Sequence, residues 1–189
     1  MYSETIPPCS KHGAQCGYSL LELTLVVLIL GIMAAAVIPS FFSANPEKLE
    51  LAAREFADAM RFARSEAMRL GVPMGFRQQS SQARIRVFRL DTDTAPWTPI
   101  YDVYHPVSKK LYDINLNSHA FARVDSLSHD RVYRGTCNQT GNVYFDAAGI
   151  PRCVNPETVP LDRFEVTFTL GNESRLLTLD SITGQVTIQ

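Results

Sequence analysis

The sequence predicts an α+β protein in which a long N-terminal helix, its first half crossing a membrane, packs on an antiparallel β domain. Three observations predict it. No charged residue lies between Glu22 and Glu47 in the 189-residue chain. From Asn45 to Leu70 apolar residues recur at helical spacing. Beyond Gly71 that period gives way to short alternating runs broken by turn residues. With 46% hydrophobic residues, 20% charged residues and a net charge of -1, the composition is that of one globular domain. It excludes a polytopic membrane protein, a collagen-like chain and a multidomain enzyme.

The first element is the apolar run from Tyr18 to Ile38, in which Glu22 is the only charge. As a helix it rises about 31 Å, enough to cross a hydrocarbon core of ~30 Å. A secretory signal is the alternative, with Ala34-Ala35-Ala36 as its cleavage site, but its apolar core would span only roughly 7–15 residues. A lipoprotein signal fails because Cys16 precedes the run instead of closing it. A carboxylate within such a span costs roughly 2.5–3.5 kcal/mol on insertion scales, so Glu22 calls for a partner or a task. A glutamate snorkelling to the headgroups is the plainer reading.

Gly17-Tyr18-Ser19-Leu20-Leu21-Glu22 resembles the processing site of type IV prepilins, where glycine precedes the cut and glutamate is fifth after it. Gly31 and Pro39 also fall where many pilin helices carry glycine and proline. The resemblance implies a leader over residues 1–17, cleavage by prepilin peptidase between Gly17 and Tyr18, and N-methylation of Tyr18. It also implies a membrane span over 18–38, anchoring the chain in the bacterial inner membrane with its C-terminal domain in the periplasm. Glu22 would then pair with the Tyr18 ammonium of a neighbouring pilin-like subunit, which removes the cost of an isolated buried charge.

Pro39 is expected to kink or end the first helix. A stem helix then occupies the 39–71 segment, with Asn45 as N-cap, Pro46 in the first turn and Gly71 as C-cap. Leu49, Ala52, Ala53, Phe56, Met60, Ala63, Ala67 and Leu70 fall on one face. Leu51 and Phe62 fall on the polar side, either as ordinary exposed apolar residues or as contacts to a neighbouring subunit. The stretch from Phe62 to Pro73, with its Ala63-Arg64-Ser65-Glu66-Ala67 core, resembles GspH/FimT-type minor pseudopilins and minor pilins. Val143–Gly149 and Leu179–Val186 resemble landmarks of the same family.

For the periplasmic domain, residues 72–189, strands are expected at 72–77, 83–90, 100–104, 131–133, 141–145, 163–170, 175–179 and 185–188. Gly171-Asn172 is expected to turn a hairpin. Residues 105–130 show no sustained period. The family resemblance implies that the strands form a β-sandwich. Cys137 and Cys153 are the only cysteines of this domain. In an oxidising compartment they would be bridged, a link that contributes about 3 kcal/mol, and two free thiols are the alternative. Cys9 and Cys16 fall in the leader.

No catalytic constellation appears, so no enzyme and no cofactor are expected. His105, His119 and His129 have no nucleophile motif nearby, Asp91-Thr92-Asp93-Thr94 lacks the rest of a calcium loop, and no zinc spacing exists. Residues 54–89 hold eight arginines against three acids, which raises DNA as a partner, but i,i+4 pairing absorbs part of that charge and DNA is not expected to bind. The resulting reading is a minor pilin-like subunit of a type II secretion pseudopilus, its partners being prepilin peptidase, other pilin-like subunits and the inner membrane. A minor type IV pilin in pilus assembly or DNA uptake is the alternative. A membrane-tethered periplasmic enzyme or binding protein is the second.

Overall fold

The computed structural model describes residues 19–42, 45–93, 95–138 and 141–189, the side chains of residues 34–42 and of Ser80 excepted. The 1–17 leader, the Gly17–Tyr18 cleavage and methylation site, Cys9 and Cys16 therefore lie outside the described residues. The chain divides into two compact units, Met1–Phe42 and Ser43–Gln189.

The described residues of the first unit form one helix, α1 (Leu20–Phe42). It opens where the Ser19 carbonyl accepts the N–H groups of Glu22 (2.9 Å) and Leu23 (3.1 Å). Of the two outcomes expected at Pro39, a kink or an end, the helix does not end there; it runs through to Phe42. Ala34-Ala35-Ala36, the best helix former repeated, precedes the proline, and only one turn remains after it.

The second unit begins with α2 (Asn45–Leu70), carrying Glu47 in its first turn and Arg69 in its last. Gly71, at φ +68°, closes it by donating its N–H to the Ala67 carbonyl at 2.9 Å. Among the described residues ten strands follow: β1 (Met74–Gln79), β2 (Arg84–Asp91), β3 (Thr98–Ile100), β4 (Asp113–Asn115), β5 (Ser126–Tyr133), β6 (Asn142–Phe145), β7 (Pro151–Arg152), β8 (Leu161–Leu170), β9 (Glu173–Leu179) and β10 (Val186–Ile188). They form two antiparallel sheets. The first has the order β3-β2-β1-β6-β7, with β4 sharing the β3 edge of β2; the second has the order β10-β9-β8-β5.

The sheets meet through Phe76 of β1 and Phe164 of β8, edge to face at 5.4 Å. Helix α2 lies across both, with Phe56 edge-on to Phe168 of β8 at 5.3 Å. Being flanked by two sheets, α2 buries more than the expected stripe: Ala57 and Ala59 are fully covered as well. Leu70 departs the other way and is 50% exposed, because the last turn runs past the sheets. Leu51 and Phe62 are not on the solvent side; both are half-buried against the core, and the Phe62 ring sits 5.0 Å from that of Tyr112. The segment that supplies Tyr112 had no legible period.

A smaller cluster, Phe88, Leu90, Tyr144 and Val154, covers the other face of the first sheet together with Trp97 and Tyr101. Gly75 makes this possible, since a β-carbon there would stand 2.7 Å from the Phe88 ring. The Gly171-Asn172 hairpin forms as read, pairing Leu170 with Glu173 and holding Gly171 at φ +61°. The strand expected at 100–104 is instead Thr98–Ile100, with Tyr104 bridged only to Leu111. Strands β4 and β7 are two or three residues long, too short to show a period. β5 starts five residues before its expected beginning, because its long outer edge is polar and hides the alternation.

Candidate functional site

Two features stand out, one in each unit. Along α1 the apolar side chains from Leu20 to Met33 point outward in every direction, none of the large ones less than 46% exposed. Glu22 stands in the first turn as the only charge of the helix. Thr24 directs its hydroxyl back to the Leu21 carbonyl at 2.9 Å, so the polar atom needs no outside partner. Among the described residues no helix is long and apolar enough to cross a membrane, the side chains of α1 being described only as far as Met33.

In the second unit the three stretches that carry the family resemblance come together. Arg64 of α2 donates from Nε to the Gly149 carbonyl at 3.3 Å. Gly149 (φ +77°) and Gly184 (φ +68°) lie beneath that side chain; a β-carbon on Gly184 would approach Arg64 Nε to 2.8 Å, and one on Gly149 would strike Met68 Sδ at 2.7 Å. Each glycine closes a turn braced by an aspartate. Asp146 Oδ1 accepts the N–H groups of Ala148 (3.0 Å) and Ile150 (2.9 Å), while Oδ2 takes Arg152 Nε at 2.7 Å. Asp180 Oδ1 accepts the Thr183 N–H (2.6 Å), the Thr183 hydroxyl (2.8 Å) and the Ile182 N–H (3.0 Å). The Thr183 N–H and hydroxyl, then the Ile182 N–H, hold the Asp180 carboxyl below the usual range. Arg61, one turn earlier on α2, donates to the Val186 carbonyl at 3.1 Å. The helix thus clasps both turns, and that clasp was not foreseen from the sequence, where its parts are separate motifs.

The cysteines are bridged: Cys137 and Cys153 form a disulfide with their Cα atoms 5.9 Å apart. It ties the segment after β5 to the segment after β7, the edge strand of the first sheet. Beside it, Tyr144 donates its hydroxyl to the Glu157 carbonyl at 2.8 Å, and burial pushes its phenol up to about 12.

Of the other singled-out residues, His129 lies within β5, opposite Val166 of β8, and the rest hold loops. His105 Nδ1 accepts the N–H groups of Val107 and Ser108, and His119 Nδ1 those of Phe121 and Ala122. Asp91 Oδ1 accepts the Asp93 N–H at 3.0 Å. Among the described residues no group of three His, Cys, Asp or Glu side chains could hold a metal. The arginines of residues 54–89 are largely matched by carboxylates: Arg54 with Glu50, Arg61 with Asp58, Arg69 with Glu66, Arg84 and Arg86 with Asp113, and Arg89 with Asp102. A polyanion would find few unpaired cations there. Phe62 also lines a groove with Leu70, Val72 and Tyr104 at the end of α2.

The model of the family described as Type II transport protein GspH matches residues 52–183, and the chain belongs to that family. The match takes in Arg64 and Gly149 and stops one residue before Gly184. Among solved structures the chain resembles the minor pseudopilin EpsH of the Vibrio cholerae Type 2 Secretion System, at 14% identity. That likeness covers 75% of this chain and 96% of that one, with a TM-score of 0.48. It also resembles the type IV minor pilin FimU of Pseudomonas aeruginosa, at 13% identity over 76% of this chain and 90% of that one, with a TM-score of 0.48. No curated protein matches the chain.

Proposed function

We propose that the protein is a minor pilin-like subunit of a type II secretion pseudopilus. Prepilin peptidase removes residues 1–17, the Tyr18 amine is methylated, the 18–38 segment is held in the inner membrane, and the β domain lies in the periplasm. The observation that carries this reading is α1: from Leu20 to Met33 its apolar side chains are exposed all round, with a single carboxylate in the first turn. Such a surface demands a nonpolar environment. Lipid supplies it before assembly, and the same helices of other pilin-like subunits supply it afterwards. In that setting Glu22 is stable only when paired, and the Tyr18 ammonium of a neighbour is the cation the cleavage would create. Family membership supports the secretion assignment. The exposed part of Phe62, in its groove beside Tyr104, is a candidate contact to a neighbouring subunit, as is Leu51. The reading includes no catalysis, no cofactor and no DNA.

Intact-mass and N-terminal peptide spectrometry on protein extracted from membranes tests it. The expected mature chain starts at Tyr18 and carries one extra methyl group. A start after Ala36, or a retained leader, refutes the assignment.

A further inference from the structure

Two places in the β domain break local rules, with opposite signs of charge. The first is the excursion between β3 and β4, where the chain leaves one edge of β2 and returns to it. It folds back as a hairpin: His105 N–H donates to the Lys110 carbonyl at 2.8 Å, Tyr112 N–H to the Val103 carbonyl at 2.8 Å, and Tyr104 bridges Leu111. His105 Nδ1 fixes the tip through Val107 and Ser108. Lys109 in that tip sits at φ 56°, a conformation in which a β-carbon is strained and glycine is the easy choice. Lys109 and Lys110 are exposed and have no ion-pair partner among the described residues, and Val107 between them and His105 is 83% exposed. A braced arm accepts strain to hold two ammonium groups beside an apolar tip.

The second place is the outer face of the second sheet. Glu165 of β8 stands directly opposite Asp130 of β5, and like charges in that relation destabilise a sheet. Arg163 pairs with Asp130. Glu165 has no ion-pair partner among the described residues. It lines one shallow groove with Asp180, Thr178 and Thr187, and the two threonine hydroxyls are bonded at 2.5 Å. Ile182, 70% exposed, stands beside Asp180 in the turn.

We propose that the 103–112 hairpin of one copy docks in the Glu165–Asp180 groove of a second copy of this chain. Lys109 and Lys110 meet the two carboxylates, and Val107 meets Ile182 and the threonine methyls. The contact accounts for both defects: an ammonium beside Glu165 relieves its repulsion from Asp130, and the charge on Lys109 is what the strained backbone presents. Arm and groove are different patches of one chain, so the contact is heterologous and propagates into a ring or an open filament instead of closing as a two-fold dimer. It lies wholly within the β domain and stands independently of assembly through α1.

The test mixes light and isotopically heavy full-length chains in detergent micelles and couples amines to carboxylates with a carbodiimide. Peptides joining Lys109 or Lys110 of one isotope to Glu165 or Asp180 of the other are expected; such links found only within chains of one isotope overturn the proposal. Energy transfer between labelled chains then measures association. Lys109→Glu with Lys110→Glu, and separately Glu165→Lys, each weaken it about tenfold; the three together bind more tightly than either parent but short of the starting value, because Asp180 still faces one of the new glutamates. A triple variant no tighter than its parents overturns the contact. Lys109→Gly gives a readout free of charge reversal: thermal stability rises as strain is relieved while association weakens, and unchanged association contradicts the assignment.

Discussion

Helix α2 hides Leu49, Phe56 and Met60 completely between two sheets, while α1 leaves Leu20, Leu21, Leu28 and Ile32 more than 60% exposed. Both helices are rich in apolar residues, but α2 alternates them with arginines and carboxylates and α1 does not. Amphipathic patterning lets a helix satisfy its apolar surface inside its own unit. Uniform apolarity means that no single face can do so, and the surface is left for something outside. The comparison teaches that α2 serves the stability of its own unit, whereas the surface of α1 is what the proposed function assigns to association.

Changes of equal size in the two helices should therefore have separate consequences. Glu22→Ala removes the one charge of α1 and leaves a neighbour's ammonium unpaired, a loss of about 3–5 kcal/mol in assembly, or hundreds- to thousands-fold in the equilibrium. Crosslinking to partner subunits should collapse while the near-ultraviolet circular dichroism of Trp97 stays unchanged. Phe56→Ala in α2 should do the reverse. It removes a ring with no exposure that meets Phe168 edge-on, and about 3–5 kcal/mol of stability should vanish in urea unfolding of the detergent-solubilised chain. An assembly defect in Phe56→Ala without a stability loss, or normal crosslinking in Glu22→Ala, breaks the comparison.

The disulfide sharpens it from within the β domain. Closing a separation of 16 residues constrains the unfolded chain by about 3 kcal/mol. Reduction, or Cys137→Ser with Cys153→Ser, should lower the urea midpoint accordingly, and thiol alkylation without reductant should label neither cysteine. The sites on α1 should gain no new protection or exposure in hydrogen exchange when the bridge is cut.

The smallest effect concerns pH. Hydrogen bonds from Thr183 and Ile182 depress the Asp180 pKa in the folded chain below its unfolded value of about 3.9. A depressed carboxyl contributes stability above the unfolded pKa and loses it as pH falls through the folded one. Acid titration of unfolding stability should show that loss below about pH 4, and Asp180→Asn should flatten this part of the curve. A mutant whose acid limb matches the parent's would show that the turn holds without the charge.

Much of the architecture was legible because it depends on local pattern. The period of α2, its closing Gly71 and the Gly171-Asn172 hairpin all reflect conformational demands within a few residues. Strands β4, β5 and β7 were hidden or misplaced, since short or polar edge strands carry no period to read. Leu51 and Phe62 were assigned to the polar side by helical geometry, but two flanking sheets and Tyr112 reach further round the helix than one face.

The sequence by itself determined that α1 is a uniformly apolar helix with one carboxylate, that α2 is two-faced, and that the remainder is antiparallel strand. Each of these is a property of near neighbours along the chain. Only the tertiary structure decided that Arg64 would close over Gly149 and Gly184, and that Glu165 would face Asp130 across a sheet. Those partners are dozens of residues apart, and their meeting is fixed by strand register and core packing, which local spacing does not encode.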